Sequence, residues 1–347
     1  METRIIILIV AYLASLFMAW NIGANDASNP TDTAVGSGAL SLNKAILIFS
    51  LFAGIGAVAQ GWMVMKTLGK GIVSSIEVAG ALSAVLAGGL WVLIATLKGM
   101  PVSTSQSITG GVLGVALSYV ALGLVRLDEV GWSVVVKIIL SWITSPAASI
   151  VLAALLYMLL KKILRHTTMD PRKVKMLRAL LIASLIFSAY SFGANDVGNA
   201  TGVYLTITSK YFGIPDQSTR VFLAIIGSIG IALGAFTLGK RVVATVAYRI
   251  TRLDLVSGIA AEYANALTVW LFTTVPYILF GYGMPVSTTH SSVSSIIGVG
   301  IARYRGFKGV DWKTVIYIIM SWLLTLPITI TLGFVVHHII VYTLNIY

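Results

Sequence analysis

Gly23-Ala-Asn-Asp-Ala-Ser-Asn29 and Gly193-Ala-Asn-Asp-Val-Gly-Asn199 are one stretch written twice. Each copy closes an apolar run, Ile5 to Trp20 in the first case and Ala179 to Phe192 in the second. An aspartate and two asparagines therefore fall at membrane depth, where an ionisable side chain is costly and marks function. A single copy reads two ways. The Asn and Asp side chains can satisfy backbone groups at a helix kink. Alternatively, their oxygens and freed carbonyls can hold a hard cation or a proton. One copy leaves these readings even; two copies, each with its aspartate, favour the functional one, a cation or a proton. Glycine beside Asn and Asp predicts an interrupted helix at both places.

Composition sets the frame for that stretch. The 347 residues are 57% hydrophobic and only 10% charged, whereas soluble chains carry about a quarter charged residues. This is an integral membrane protein, all-α and polytopic. The net charge of +12 sits in short basic runs between apolar segments, as cytoplasmic loops require, so nucleic acid is not implied. There is no cysteine, which excludes disulfides, thiolate metal sites and a cysteine nucleophile. A cleaved leader is not expected, because Glu2 lies in the head of the first segment and that segment runs into the motif.

Further landmarks repeat in the same order. Thr67-Leu68-Gly69-Lys70 returns as Thr237-Leu238-Gly239-Lys240. Met100-Pro101-Val102-Ser103-Thr104 returns as Met284-Pro285-Val286-Ser287-Thr288, and Ser141-Trp142 returns as Ser321-Trp322. The chain reads as a duplicated unit: a first transmembrane repeat over 1–160, a basic linker over 161–178 and a second repeat over 179–347. The linker holds seven Lys or Arg and one acid, which makes it cytoplasmic. Counting five crossings back places both termini outside. The same count puts 240–252 and 303–313 inside, each with four basic residues. Their first-half counterparts, 66–76 and 126–137, carry two each and fall outside. The bias flips between equivalent loops, so the repeats are expected to be inverted, with substrate held near the midplane between them.

The second repeated stretch also carries chemistry. In Pro101-Val-Ser-Thr-Ser-Gln106 and Pro285-Val-Ser-Thr-Thr-His290, proline stops one helix and hydroxyl residues cap the next. A helix N-terminus offers free N–H groups to an anion. Ordinary capping of re-entrant helices is the bland alternative, and His290 alone reads more readily as a packing residue than as a ligand. Every lysine and arginine lies in a loop or near a segment end, so no fixed cation is available to Asp26 or Asp196. An anion bound there would need mobile cations beside it. Glu77 reads as interfacial, while for Glu262 the interfacial and functional readings balance. His166, His290, His337 and His338 are not spaced as a set with the aspartates, and no nucleophile–base pair appears, so an enzyme is not expected.

Gly193-Ala-Asn-Asp-Val-Gly-Asn-Ala200 together with Met284-Pro-Val-Ser-Thr-Thr-His290 resembles the signatures of the inorganic phosphate transporter (PiT) family, which includes sodium–phosphate symporters. The resemblance spans nearly the whole chain and implies inward movement of phosphate with a cation. It implies that Asn25, Asp26, Asn29, Asn195, Asp196 and Asn199 serve the coupling cations, sodium by expectation. It also implies that Ser103, Thr104, Ser105 and Gln106, with Ser287, Thr288, Thr289 and His290, hold phosphate. Glu262 matches an acidic position that precedes the second hydroxyl run in the family and joins the cation set. The chain departs from the family at Met65-Lys66-Thr67, where an acidic residue often precedes the Lys-Gly pair. The long hydrophilic domain of animal members is reduced to 161–178. The expectation is a cation–phosphate symporter of the cell membrane with no cofactor beyond its coupling ion. It works by alternating access in the lipid bilayer, and its architecture allows a homodimer. A proton-coupled phosphate or sulfate carrier and an anion channel are the alternatives.

Overall fold

The computed structural model describes residues 2–73, 76–165, 169–205, 207–208 and 216–344. Every regular element among them is helical. The first half contains α1 (Glu2–Asp26), α2 (Ser28–Gly36), α3 (Leu42–Gln60), α4 (Trp62–Lys70), α5 (Val78–Leu97), α6 (Thr104–Ala121) and α7 (Trp132–Leu164). The second contains α8 (Pro171–Thr201), a 3-10 turn at Gly202–Tyr204, α9 (Asp216–Thr237), α10 (Lys240–Arg249), α11 (Leu255–Phe280), α12 (Thr288–Tyr304) and α13 (Trp312–Leu344). The order of long and short pieces is the same in both halves.

Among the described residues, seven helices, α3, α5, α7, α8, α9, α11 and α13, are long and apolar enough to cross a membrane. Their outward faces are apolar: Leu47, Leu51, Ile55 and Val58 stand exposed on α3, and Ile225, Ile229, Leu233 and Phe236 on α9. These positions follow a helical spacing and form stripes suited to lipid. The short α6 and α12 are buried along nearly their whole length, so they belong to the protein interior.

The halves are interleaved. Helix α3 packs on α8 as α1 packs on α9, α6 on α13 as α12 on α7, and α5 on α1 as α11 on α8. Each pairing recurs with the halves exchanged. Glycine makes the closest of these approaches. A Cβ on Gly23 would lie 1.8 Å from the Ile231 carbonyl oxygen, and one on Gly193 would lie 1.8 Å from that of Ala53. Apolar burial gives helices little reason to associate within lipid, so such small-residue contacts do much of the packing.

One sequence expectation needs correction. The helix is not opened at the Asn-Asp pair. In the first copy the interruption is the single residue Ala27, whose N–H still reaches the Gly23 carbonyl at 3.3 Å. In the second copy α8 runs unbroken through Gly193–Asn199 and ends after Thr201. Neither motif releases a run of carbonyls, so ligand oxygens there must come from side chains. The basic stretch 161–178 is also largely helical. Helix α7 continues to Leu164, and Asp170 caps α8 by accepting from the Lys173 N–H at 2.8 Å. His166 lies outside the described residues.

Candidate functional site

The site begins with two prolines that each end an approach and two serines that each start a helix. Ser103 accepts from the Gln106 N–H and Ser287 from the His290 N–H, both at 3.1 Å. The fourth N–H of each helix is taken by the backbone, Ser107 on Ser103 and Ser291 on Ser287. The first two N–H groups of each helix, those of Thr104 and Ser105 and of Thr288 and Thr289, have no intrahelical acceptor. The two starts lock onto each other. Ser105 donates to the Val286 carbonyl at 2.7 Å, and Thr289 donates to the Val102 carbonyl at 3.0 Å. Each hydroxyl thus binds the turn that precedes the other helix.

The long helices hold these turns from behind. The Trp142 indole donates to the Pro285 carbonyl and the Trp322 indole to the Pro101 carbonyl, both at 3.2 Å. Pro146 lies inside α7, and a helix proline leaves the carbonyl four residues earlier without its donor. That carbonyl belongs to Trp142, and it accepts from His290 Nδ1 at 3.3 Å. The His290 ring also lies 3.9 Å from the Trp322 ring, centroid to centroid. These contacts fix the His290 ring between α7 and α13. Its Nδ1 carries the proton, which leaves Nε2 an acceptor, and Nε2 has no partner.

The two Gly-Ala-Asn-Asp copies bracket the helix starts. Asn25 donates to Thr96 and to the Met100 carbonyl, both at 2.9 Å, and accepts from the Val102 N–H at 3.0 Å. Asn195 mirrors it, donating to Thr273 at 2.6 Å and to the Met284 carbonyl at 2.8 Å. These asparagines tie each motif to the turn of its own half. Asn29 and Asn199 reach across: Asn29 donates to Thr288 and Thr289, both at 3.1 Å, and Asn199 donates to Ser105 at 3.0 Å.

The aspartates meet at the centre. The Thr104 hydroxyl lies 2.6 Å from Asp26 Oδ2 and 3.3 Å from Asp196 Oδ1. The Thr289 hydroxyl, shared with the Val102 carbonyl, also lies 3.2 Å from Asp26 Oδ1, and Asp196 accepts from Asn199 at 2.8 Å. Both carboxyl groups are fully buried. One hydroxyl proton can serve only one of them at a time. No described lysine or arginine is buried, so no fixed charge balances the pair. The second copy also presents acceptors with no donor: Asp196 Oδ2, Asn195 Oδ1 and Asn199 Oδ1. All are hard oxygen donors, the set that fits a sodium ion and not a soft metal.

Of the residues singled out from the sequence, Asn25, Asp26, Asn29, Asn195, Asp196, Asn199 and the hydroxyl runs come together. Gln106 is buried beside them in sequence, with its Oε1 unpartnered. Glu262 does not join the aspartate pair; its Oε2 accepts from Thr33. Glu77 is exposed at the start of α5, consistent with an interfacial place. Sequence reasoning missed Asp32, which is fully buried and accepts from Ser292 at 2.7 Å. Its signal was the polar run Thr31-Asp32-Thr33 that follows the first motif after Pro30.

The chain is similar to known proteins over most of its length. The model of the phosphate transporter family matches residues 22–333. A Pyrococcus abyssi protein named "Putative phosphate permease" is 32% identical, over 92% of this chain and 95% of its own length. The chloroplastic inorganic phosphate transporter 2-1 of Arabidopsis thaliana is 27% identical, over 92% of this chain and 70% of its own. A solved structure described as the sodium-dependent phosphate transporter superposes with a TM-score of 0.80. It is 29% identical and covers 96% of this chain and 98% of that one. With this match along almost its full length, the chain belongs to the phosphate transporter family, a multi-pass membrane transporter and not an enzyme.

Proposed function

We propose that this protein imports inorganic phosphate together with sodium by alternating access. The observation that carries the reading is the convergence of Asp26 and Asp196 on the Thr104 hydroxyl, with no buried lysine or arginine among the described residues. Phosphate would be held by the uncapped N–H groups and hydroxyls at the starts of α6 and α12, where two positive helix ends meet. Sodium would be held by the Asn and Asp oxygens on either side, the unpartnered ones of Asn195, Asp196 and Asn199 foremost. Cations between phosphate and the aspartates turn a repulsive site into a neutral one. That makes each substrate's affinity depend on the other, which is coupling. The solved relative is described as sodium-dependent, which supports sodium over protons.

A channel and a carrier with this site differ in exchange. Proteoliposomes preloaded with unlabelled phosphate are expected to take up labelled phosphate faster than empty ones. Equal rates would indicate a pore and overturn alternating access.

Inverted repeats, with both termini outside and residues 161–178 in the cytoplasm, complete the proposal. The cysteine-free sequence makes this directly testable in intact cells. Asp128→Cys and Lys308→Cys occupy equivalent exposed turns, Leu127–Glu129 and Phe307–Gly309. An impermeant maleimide should label Asp128→Cys from outside and Lys308→Cys only after permeabilisation. Labelling of both from one side would exclude inversion.

A further inference from the structure

Helices α3 and α9 pack against each other, and the end of α3 meets the start of α9 around a cavity of about 330 Å³. Val58 and Ala59 of α3 and Val221 of α9 form an apolar wall. Trp62, at the start of α4, and Gln217 and Arg220 of α9 form a polar rim. Val58 and Val221 are also exposed, so the cavity opens on the outer side of the helices, away from the buried aspartates. Leu51 and Ile55 continue the exposed apolar stripe along α3, and Ile225 and Ile229 continue it along α9.

The ends of two spanning helices put this cavity at the depth of lipid headgroups. Trp62 fits that level, where aromatic rings collect. Its ring packs edge-on against Tyr277, 4.6 Å between centroids, and its indole donates to the Ala59 carbonyl at 3.3 Å. The Arg220 guanidinium lies over the Trp62 ring, 5.3 Å from its centroid, which holds the charge at the rim. Gln217 stands three residues before Arg220 on α9, so the two share a helix face. A guanidinium fork matches two oxygens of a phosphodiester, and the Gln217 amide can donate beside it. A polar rim over an apolar wall has the polarity of a phospholipid. The volume lies at the low end of ligand pockets, about 300–1,000 Å³, which suits a headgroup with its acyl chains lying along the stripes outside. Among the described lining residues Arg220 alone is charged. One guanidinium balances one phosphodiester, whereas a choline or ethanolamine headgroup would bring a second cation beside it.

We propose that this cavity binds the headgroup of one anionic phospholipid, with Arg220 and Gln217 on its phosphodiester. The lipid joins α3, α4 and α9. Helix α3 packs on α8 and α9 packs on α1, the helices that carry the two Gly-Ala-Asn-Asp copies, so a lipid seated here braces both from the membrane side.

Native mass spectrometry of the full chain, purified in detergent and stripped of lipid, tests this by titration with phosphatidylglycerol or with phosphatidylcholine of the same acyl chains. Wild type is expected to hold one phosphatidylglycerol about tenfold more tightly than phosphatidylcholine. Arg220→Gln should remove that preference, a loss of about tenfold for a hydrogen bond to a charged group. Ala59→Trp fills the cavity with the guanidinium in place and should lose the lipid too. Lys308→Gln, at an exposed basic residue elsewhere, should bind as wild type does. Excess inorganic phosphate should leave the bound lipid in place. Equal affinity for the two lipids in wild type, or wild-type phosphatidylglycerol binding in either Arg220→Gln or Ala59→Trp, would overturn the site. Displacement of the lipid by inorganic phosphate would overturn it as well, assigning the cavity to free phosphate. If Arg220→Gln fails to fold, Gln217→Leu takes its place in the comparison.

Discussion

Asp26→Asn and Asp196→Asn are each expected to reduce sodium-driven phosphate uptake to background while the protein still folds. Asparagine keeps the shape of the carboxylate and can still accept from Thr104, Thr289 or Asn199, the donors present now. What it removes is the charge that draws a cation into a site with no basic residue. It also places an N–H₂ donor among oxygens otherwise arranged as acceptors. A cation held by one carboxylate fewer loses a charge-assisted contact, and truncating one partner of a buried charge pair typically costs about 2–5 kcal/mol. That is a loss of roughly 30- to several-thousand-fold in affinity. The effect should appear as a loss of phosphate uptake at every sodium concentration reached, with unchanged elution on size exclusion. Uptake within twofold of wild type in both variants would show that the aspartates do not bind the coupling ion.

The second large effect is structural. Gly193→Ala is expected to lower thermal stability in detergent by at least about 2 kcal/mol, and Gly23→Ala similarly, in the range of overpacked cores or beyond it. The atom in the way is a backbone oxygen at 1.8 Å in both cases, so no rotamer change relieves the clash and the helices must separate. The contacts involved, α1 on α9 and α8 on α3, are the same ones that carry the two motifs. Separation would therefore loosen the Asn25 and Asn195 anchors as well, and phosphate binding should fall with stability. Gly54→Ala is the comparison, since its added carbon would meet Ser228 at an ordinary 3.7 Å and should change little. Unaltered melting of Gly193→Ala would mean that the helices are not packed this closely.

Much of this architecture is legible in the amino-acid sequence. Lengths of apolar run locate the spanning helices because lipid demands a continuous backbone-satisfied helix. The recurrence of Gly-Ala-Asn-Asp and Pro-Val-Ser-Thr marks the candidate residues that the fold brings together, because both halves contribute the same parts. Less visible were features that depend on which helices touch. Asn29 reading Thr288 and Thr289, and Asn199 reading Ser105, are contacts between distant segments with no local signature. The trapped carbonyl at Trp142 needs both Pro146 and a histidine from another helix, so this contact of His290 had no signal in the sequence, which read it alone as a packing residue and by resemblance as a phosphate ligand. The expected break at Asn195-Asp196 did not appear because a glycine in the middle of a helix weakens it by only about 1 kcal/mol relative to alanine. The close α3–α8 packing around Gly193 is enough to keep α8 continuous. Asp32 was overlooked for a related reason: it has no twin, its counterpart being Gly202, and reasoning from repeats favours what occurs twice.

Sodium coupling is tested most directly by phosphate uptake into proteoliposomes under sodium and proton gradients imposed separately, with sulfate as competitor. Uptake above equilibrium is predicted with an inward sodium gradient at equal pH on both sides, and not with a proton gradient in sodium-free buffer. Excess sulfate should leave it largely unchanged. Accumulation driven by the proton gradient alone, or equal uptake under both conditions, would contradict the assignment of sodium to the Asp26–Asp196 site.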